Sequence, residues 1–259
     1  MPIDHDPTRK DGRILRDDAG REVGRFVAAS REGMPIADLF ELTPGVSAEV
    51  AVPSILAALR GGQVAGEPAL ARALMAAGAR AGRHAHVMSR DLGADPAPGA
   101  WCDPEPPEGL RLGPADRPAS DLAAAALAAY PPDHVDHAHL DRPIDHPREL
   151  EGLMAGRALG PLLRCSGLAI DRAGAVVGAV LVNCDDTPPP YGGPWVTQVF
   201  RGQGGRGAGR ALLRRALGLA THDGLPALGL AVTVGNPAQR LYEELGFRLL
   251  LTSFTVRVP

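Results

Sequence analysis

Residues 202–209 read "GQGGRGAG", five glycines in eight positions, and an apolar helical pattern follows at once. A strand, a glycine turn and a helix make an anion site for two reasons. Glycines let the backbone approach a phosphate and present N–H groups, and a helix N-terminus carries about half a unit of positive charge. Gly207 and Gly209 lie where the first helical turn should begin, and Arg206 and Arg210 are placed to add full charges. The helix is credible because Leu212, Leu213, Ala216, Leu217 and Ala220 form one apolar stripe. The loop alone does not select its ligand. A P-loop requires Gly-Lys-Ser or Gly-Lys-Thr, and no lysine is present here. "GQGGRG", Gly202 to Gly207, satisfies the dinucleotide pattern GxGxxG, but that fingerprint also wants an acidic residue about 20 positions on, ending a second strand. Asp223 has the distance and sits at a helix end before Gly224. A glycine turn without a ligand therefore stays open.

A second stretch narrows the choice. "VTVGNPAQRLYEELGF", Val232 to Phe247, places Asn236 as a natural N-cap and Pro237 at the first helical position. Leu241 and Leu245 share one face at i, i+4, and Tyr242 stands beside that stripe, expected along the sheet edge and not in the core. Together the two stretches resemble the GNAT superfamily of N-acetyltransferases. The family pattern is a strand ending in valine, a loop R/Q-x-x-G-x-G/A, a helix opening x-x-L-L, then N-x-x-A-x-x-L-Y and L-G-F. Val199 matches the strand end, and "GGRGAGRALL" aligns from Gly204 to Leu213 without a gap. Asn236, Ala238, Leu241, Tyr242, Gly246 and Phe247 carry the second motif. The resemblance spans residues 110–259.

The resemblance implies acetyl-CoA, or another acyl-CoA, as donor and an unidentified primary amine as acceptor. It implies that the pyrophosphate lies on Gly204, Gly205, Arg206, Gly207, Ala208, Gly209 and Arg210. The pantetheine arm would run between diverging strands at residues 195–200 and 228–234, touching Asn236 and Ala238. The backbone N–H near Val199 would polarise the thioester carbonyl, and Tyr242 would protonate the departing thiolate. One departure stands out: where the family has Arg or Gln, this chain has Gly204, with Arg201 and Gln203 out of register. No base is evident, since "WVTQVF" carries no carboxylate; Asp185 and Asp186 in the preceding loop read as surface aspartates. "DHVDHAHLD", Asp133 to Asp141, holds His134, His137 and His139. Its charged, Pro-preceded context favours a solvated loop over a metal site, and no metal is expected; the resemblance implies that this region between the first two helices borders the acceptor pocket, where these histidines would make contacts. The other class of function open to this sequence is a non-catalytic acyl-CoA-binding or regulatory module, which the Gly204 departure makes conceivable.

These residues need elements to position them. "LRLGPAD" reads as a strand, "SDLAAAALAAY" as a helix with Ser120 as N-cap, and a second helix is expected within residues 147–159. "GLAID" and "AVVGAVLVN" form a hairpin at Arg172-Ala173-Gly174, and further strands follow at residues 195–200, 228–234 and 248–258. The fold class is α/β (α+β): a mixed, mostly antiparallel twisted sheet with a central β-α-β-α-β acyl-CoA site and helices on both faces. In the N-terminal region "RILRDDAGREVGRFVAA" reads as a hairpin, "VAVPSILAALRGG" and "EPALARALMAAGA" as helices, and "HAHVMSRDL" as a strand. "AAGARAGRHAHVMSRDL" is similar to the tail of a GNAT domain that lacks the loop and the tyrosine, so residues 1–93 are expected to be a degenerate GNAT-like or small α/β domain. Residues 94–109, rich in proline, are expected to link it to the acetyltransferase domain at 110–259.

Composition sets outer bounds. Aromatics are only 4%, so Leu, Val and Ala must fill the core. The net charge of -3 gives no reason to expect nucleic acid or an anionic membrane as partner. Cys102, Cys165 and Cys184 form no CxxC, which fits a reduced, cytoplasmic setting. No apolar leader and no stretch near the ~18 apolar residues of a membrane span is visible. A homodimer is compatible with everything above.

Overall fold

The computed structural model describes residues 3–31, 33–131, 134–137, 145–186 and 192–259. The chain forms two compact units, Met1–His86 with Leu251–Pro259, and Val87–Leu250. Residues 87–109 thus cluster with the second unit and the last nine residues with the first.

In the first unit, strands β1 (Ile3–His5), β2 (Gly12–Arg16), β3 (Glu22–Arg31) and β4 (Met34–Leu42) form an antiparallel meander. Helix α1 (Ala48–Ala58) returns the chain to β5 (Gln63–Gly66), parallel to β4, and α2 (Pro68–Ala76) follows. The hydroxyl of Ser47 caps α1 by accepting the Val50 N–H. Leu15, Phe40, Ile55 and Leu74 fill the core. The outer edge of β5 is covered by the end of the chain: in β12 (Arg248–Arg257), Phe254 stands opposite Gly66 and Arg257 opposite Gln63. Val256 and Val258 are fully buried in the same core.

The second unit contains β6 (the end of Arg80–Asp91), β7 (Leu110–Pro114), α3 (Ala119–Ala129), α4 (His146–Met154), β8 (Gly167–Asp171), β9 (Val176–Cys184), β10 (Pro194–Arg201), α5 (Ala208–His222), β11 (Ala227–Thr233) and α6 (Ala238–Glu244). Its strand order is β7-β8-β9-β10-β11-β6, antiparallel from β7 to β10 and parallel between β10 and β11. This is the expected mixed, mostly antiparallel sheet. Alternation along β9 sorts the helices onto two faces. Val180 and Val182 pack with the Leu212, Leu213 and Leu217 stripe of α5 and with Leu245 of α6. Ala179 and Leu181 pack with Leu122 of α3 and Leu150 of α4. Each fully buried leucine of the α5 stripe contributes about 2 kcal/mol. Among the sequence expectations, Ser120 is not the N-cap of α3. Pro118, extended at φ -62 and ψ 151, leads in, and Ser120 lies inside the first turn. The proline-rich segment 94–109 is packed: Ala97 is buried, and the Trp101 ring has the guanidinium groups of Arg90 and Arg214 over it at 5.4 and 5.5 Å.

One irregularity in this sheet sets up the site. Val196 stands opposite Val182 and Gln198 opposite Leu181, so Thr197 is an extra residue, a β-bulge. Its hydroxyl donates to Asn183 Oδ1 at 2.7 Å. Asn183 is completely buried and spends its two N–H donors on the carbonyls of Leu153 and Gly160, each at 2.9 Å. The bulge is therefore locked by a satisfied buried amide.

Two outcomes are expected. Deleting residues 251–259 exposes the edge of β5 and removes Val256 and Val258 from the first core, so hydrogen exchange of β5 amides should rise to that of an unfolded segment. Thr197→Val keeps the shape but strips Asn183 Oδ1 of its donor, which costs about 1–3 kcal/mol in chemical denaturation.

Candidate active site

The phase of β10 follows from its neighbours. Val182 N–H donates to the Ser166 hydroxyl and Val182 C=O accepts from Leu163 N–H, both on the β8 side of β9. Alternation turns the backbone polar groups of Val180 to that same side. Val199, opposite Val180, is thus a non-hydrogen-bonded pair, and its N–H and C=O point away from β9 toward β11. The other end of the phase agrees, since Gly202 N–H bonds Val177 C=O at 2.9 Å. Yet the parallel register between β10 and β11 consists of Trp195 opposite Gly229, at the start of both strands. Beyond it the strands diverge, and the Val199 N–H faces the gap. The C=O of Val199 accepts from the Tyr130 hydroxyl at 3.1 Å.

The glycine loop follows directly from β10. Gly205 N–H closes a turn on Gly202 C=O, and Ala208 N–H bonds Gly205 C=O. Gly207 precedes α5 with φ +80, and a Cβ there would sit 3.2 Å from Pro107 Cγ, so only glycine serves at this entry. The helix has no side-chain cap. The N–H groups of Gly209 and Arg210, in its first turn, have no helical carbonyl to bond and point out of the helix end. Ala208 is buried, whereas Gly204 and Arg206 are exposed. Arg210 is ion-paired with Glu244 of α6, so its charge is compensated from within the protein. An open hollow of about 480 Å³ reaches Gly204 between Glu108, Asp171 and Arg172. Arg172, in the β8–β9 turn, lines the same hollow as Gly204, together with the acidic Glu108 and Asp171; no local rule signals this, because the turn lies 32 residues upstream of Gly204.

At the far end of β11, Asn236 Oδ1 accepts the Ala238 N–H at 2.9 Å. Helix α6 starts at Ala238, one residue later than expected, because Pro237 at φ -61 and ψ -17 still precedes the regular bonding, but the capping side chain is the expected one. Tyr242 is not on an edge. It is 5% exposed, belongs to the main core and meets Phe247 edge-on at 6.0 Å. Its phenol is thus held in a water-poor setting. Gly246, at φ +87, closes the helix and turns Phe247 inward.

Around the open end of the gap stand Tyr130, Asp136 and Glu149, which the sequence did not single out, together with His134, which it did. Tyr130, at the end of α3, meets the His134 ring edge-on at 5.1 Å. His134 Nδ1 lies 3.2 Å from the Asp136 N–H nitrogen and 3.5 Å from Asp136 Oδ2. Asp136 Oδ2 accepts from Asn236 Nδ2 at 3.3 Å. Glu149 of α4 accepts from Gln198 Nε2 at 3.2 Å. Asp185 accepts the Gly193 N–H, a loop role. Asp133, His139 and Asp141 lie outside the described residues. Among the described residues no group of three or more His, Cys, Asp or Glu is placed to hold a metal ion. Burial pushes the Cys165 thiol up to about 12 and raises that of Cys184 as well, with Asp185 and Asp186 adding to the latter, so both remain thiols at neutral pH and are poor acyl carriers.

Residues 125–247 match the acetyltransferase (GNAT) family. No curated protein matches the sequence significantly. Among solved structures, a GCN5-related N-acetyltransferase from Sphaerobacter thermophilus is similar at 19% identity and TM-score 0.63, over 95% of this chain and 80% of that one. A tandem GNAT protein from the clavulanic acid biosynthesis pathway is similar at 18% identity and TM-score 0.55, over 96% and 82%. A GNAT-family acetyltransferase from Colwellia psychrerythraea is similar at 12% identity and TM-score 0.53, over 96% and 85%. These likenesses concern the fold. No helix among the described residues is long and apolar enough to cross a membrane. With the glycine loop ahead of α5, the diverging strands and the Asn-to-Tyr helix in one unit, the C-terminal part of the chain is a domain of the acetyltransferase (GNAT) family.

Proposed function

We propose that the protein transfers an acetyl group from acetyl-CoA to a primary amine, by direct attack in a ternary complex. The observation that carries this reading is the phase of β10. The Val199 N–H is turned into a gap between parallel strands, one short loop ahead of an uncapped helix end. A thioester in that gap meets a fixed N–H donor at its carbonyl oxygen, where negative charge develops. Its pyrophosphate falls at the N–H groups of Gly207, Gly209 and Arg210, with Arg206 and Arg172 as cations. Gly205 and Ala208 shape the turn, Ala238 offers a small side chain to the pantetheine arm, and Asn236 orders the head of α6.

The chemistry is a displacement. The amine lone pair attacks the carbonyl carbon, the C–N bond forms, the C–S bond breaks, the thiolate takes a proton, and the amide nitrogen sheds one that restores the donor. Tyr242 is the donor in this reading. A phenol's ordinary pKa near 10 suits a thiolate leaving group, and the protein's main contribution is to hold two substrates in register. The N-terminal unit is read as a degenerate GNAT-like half: β4-α1-β5-α2-β6 repeats the element order of β10-α5-β11-α6-β12, but no multi-glycine loop precedes α1. The chain has "TPGVSAEV", Thr43 to Val50, with Ser47 as its cap and one glycine. A non-catalytic acyl-CoA-binding role is the competing reading.

Two measurements decide. In a thiol-release assay with acetyl-CoA over a panel of amines, Tyr242→Phe should lower turnover about 10²-fold while CoA affinity by calorimetry stays unchanged; unchanged turnover removes Tyr242 from the mechanism. CoA binding with no turnover of any amine favours the non-catalytic role. Gly204 has φ +79 with open space around its Cα, so Gly204→Arg adds a cation at a cost in backbone strain. CoA should bind about three- to fivefold tighter, and unfolding should show a loss of about 1–2 kcal/mol. Gly204→Ala should show the loss without the tightening.

A further inference from the structure

Tyr130, His134 and Asp136 form a bridge across the open end of the gap between β10 and β11. On one side the Tyr130 hydroxyl is bonded to the Val199 carbonyl, the residue whose N–H faces the gap. On the other side the Asp136 carboxylate accepts from Asn236, which caps α6. His134 joins the two, edge-on to the Tyr130 ring and with Nδ1 3.5 Å from Asp136 Oδ2. Asp136 Oδ1 is buried and has no hydrogen-bond partner among the described residues. A buried carboxylate oxygen without a donor is costly and is satisfied by a ligand that brings one.

We propose that this bridge is the acceptor's seat: a cationic primary amine docks its ammonium on Asp136 Oδ1, and His134 takes the proton that must leave before attack. The inference rests on the acyl-transfer reading above and adds the class of acceptor and the base. A protonated amine has no lone pair, so one proton must go to a base. It passes to His134 Nδ1, and the imidazolium formed there is paired with the Asp136 carboxylate. The freed lone pair attacks the thioester carbon, the C–N bond forms, the C–S bond breaks, the thiolate takes its proton from Tyr242, and the second proton shed by the new amide nitrogen returns to the Tyr242 phenolate. In the neutral ring Nδ1 accepts the Asp136 N–H, so the arriving proton displaces that contact in favour of the carboxylate. Among the described residues, the Tyr130 phenol from the end of α3 and Asp136 from its own turn contact the ring. Helix α6 faces the pair with the neutral Asn236, and α4 brings Glu149 to Gln198 on β10.

The test uses the full chain with acetyl-CoA and three probes: n-butylamine, spermidine and benzylamine. His134→Gln and Asp136→Asn are compared with the unmodified protein for CoA affinity by calorimetry and for kcat/KM against pH. Equal CoA affinity in all three reports an intact fold and donor site. The expected result is an acidic limb in kcat/KM that disappears in His134→Gln. The same variant should lose about 10²-fold in kcat/KM at neutral pH, and Asp136→Asn should raise KM for the amine about tenfold. A His134→Gln profile that follows the unmodified protein overturns the proposal. So does CoA binding without turnover of any probe, which leaves the CoA site standing. Failure of the unmodified protein to bind CoA overturns the acyl-transfer reading itself, and this inference with it.

Discussion

The site depends on one buried amide. Asn183 ties together the end of α4 through Leu153, the following loop through Gly160 and the bulge through Thr197. Without the extra residue at Thr197, the backbone of β10 would keep its alternation. Position 199 would then turn its N–H onto β9, and position 198 would face the diverging gap in its place. The bulge shifts the phase by one residue, and the hydroxyl-to-amide bond makes the shift a fixed feature of the sheet. The interior supports this because every donor of Asn183 is used; a half-satisfied amide at that depth would favour a regular strand.

The electrostatics of the loop follow a related logic. Arg210 lies in the first turn of α5 but is paired with Glu244, so it joins α5 to α6 and does not stand ready as a free cation. Positive potential at the loop therefore comes from oriented N–H groups and from Arg206, while Arg172 across the hollow is accompanied by Glu108 and Asp171. The end of α6 is fixed by a second buried polar group. Arg90 is 5% exposed, with Nη1 donating to the Leu245 carbonyl at 2.8 Å and Nε to the Asp95 carbonyl at 3.1 Å. Its guanidinium also stacks over Trp101. Tyr242 thus stands on a helix whose head is held by Asn236 and whose tail is held by Arg90.

Much of this was legible in the residues. The α5 stripe, the hairpin at Arg172-Ala173-Gly174, the closing glycines Gly224 and Gly246 and the Asn236 cap follow from local rules, since each depends on neighbours within a turn or two. What was misread depended on distant partners. Ser120 has the chemistry of a cap, but Pro118 fixes the entry first. Tyr242 lies beside the leucine stripe of a short helix, and only the packing of Phe247 beneath it decides that the ring is buried. The proline-rich stretch has the composition of a linker, yet Trp101 gives it a place to pack between Arg90 and Arg214.

The sequence by itself determined the local elements of the candidate site: glycines at positions where the backbone must turn, a helix after them, and an Asn-to-Tyr helix thirty residues on. These are properties of residue type and spacing. Only the tertiary structure decided which backbone N–H faces the gap, which arginine is neutralised and which oxygen of the Asp136 carboxylate lacks a donor among the described residues. The physical reason is range. Helix caps and turns are set by contacts a few residues apart, whereas strand phase, ion pairing and burial are set by residues 14 to 100 positions away, as Thr197 with Asn183 and Asn236 with Asp136 show.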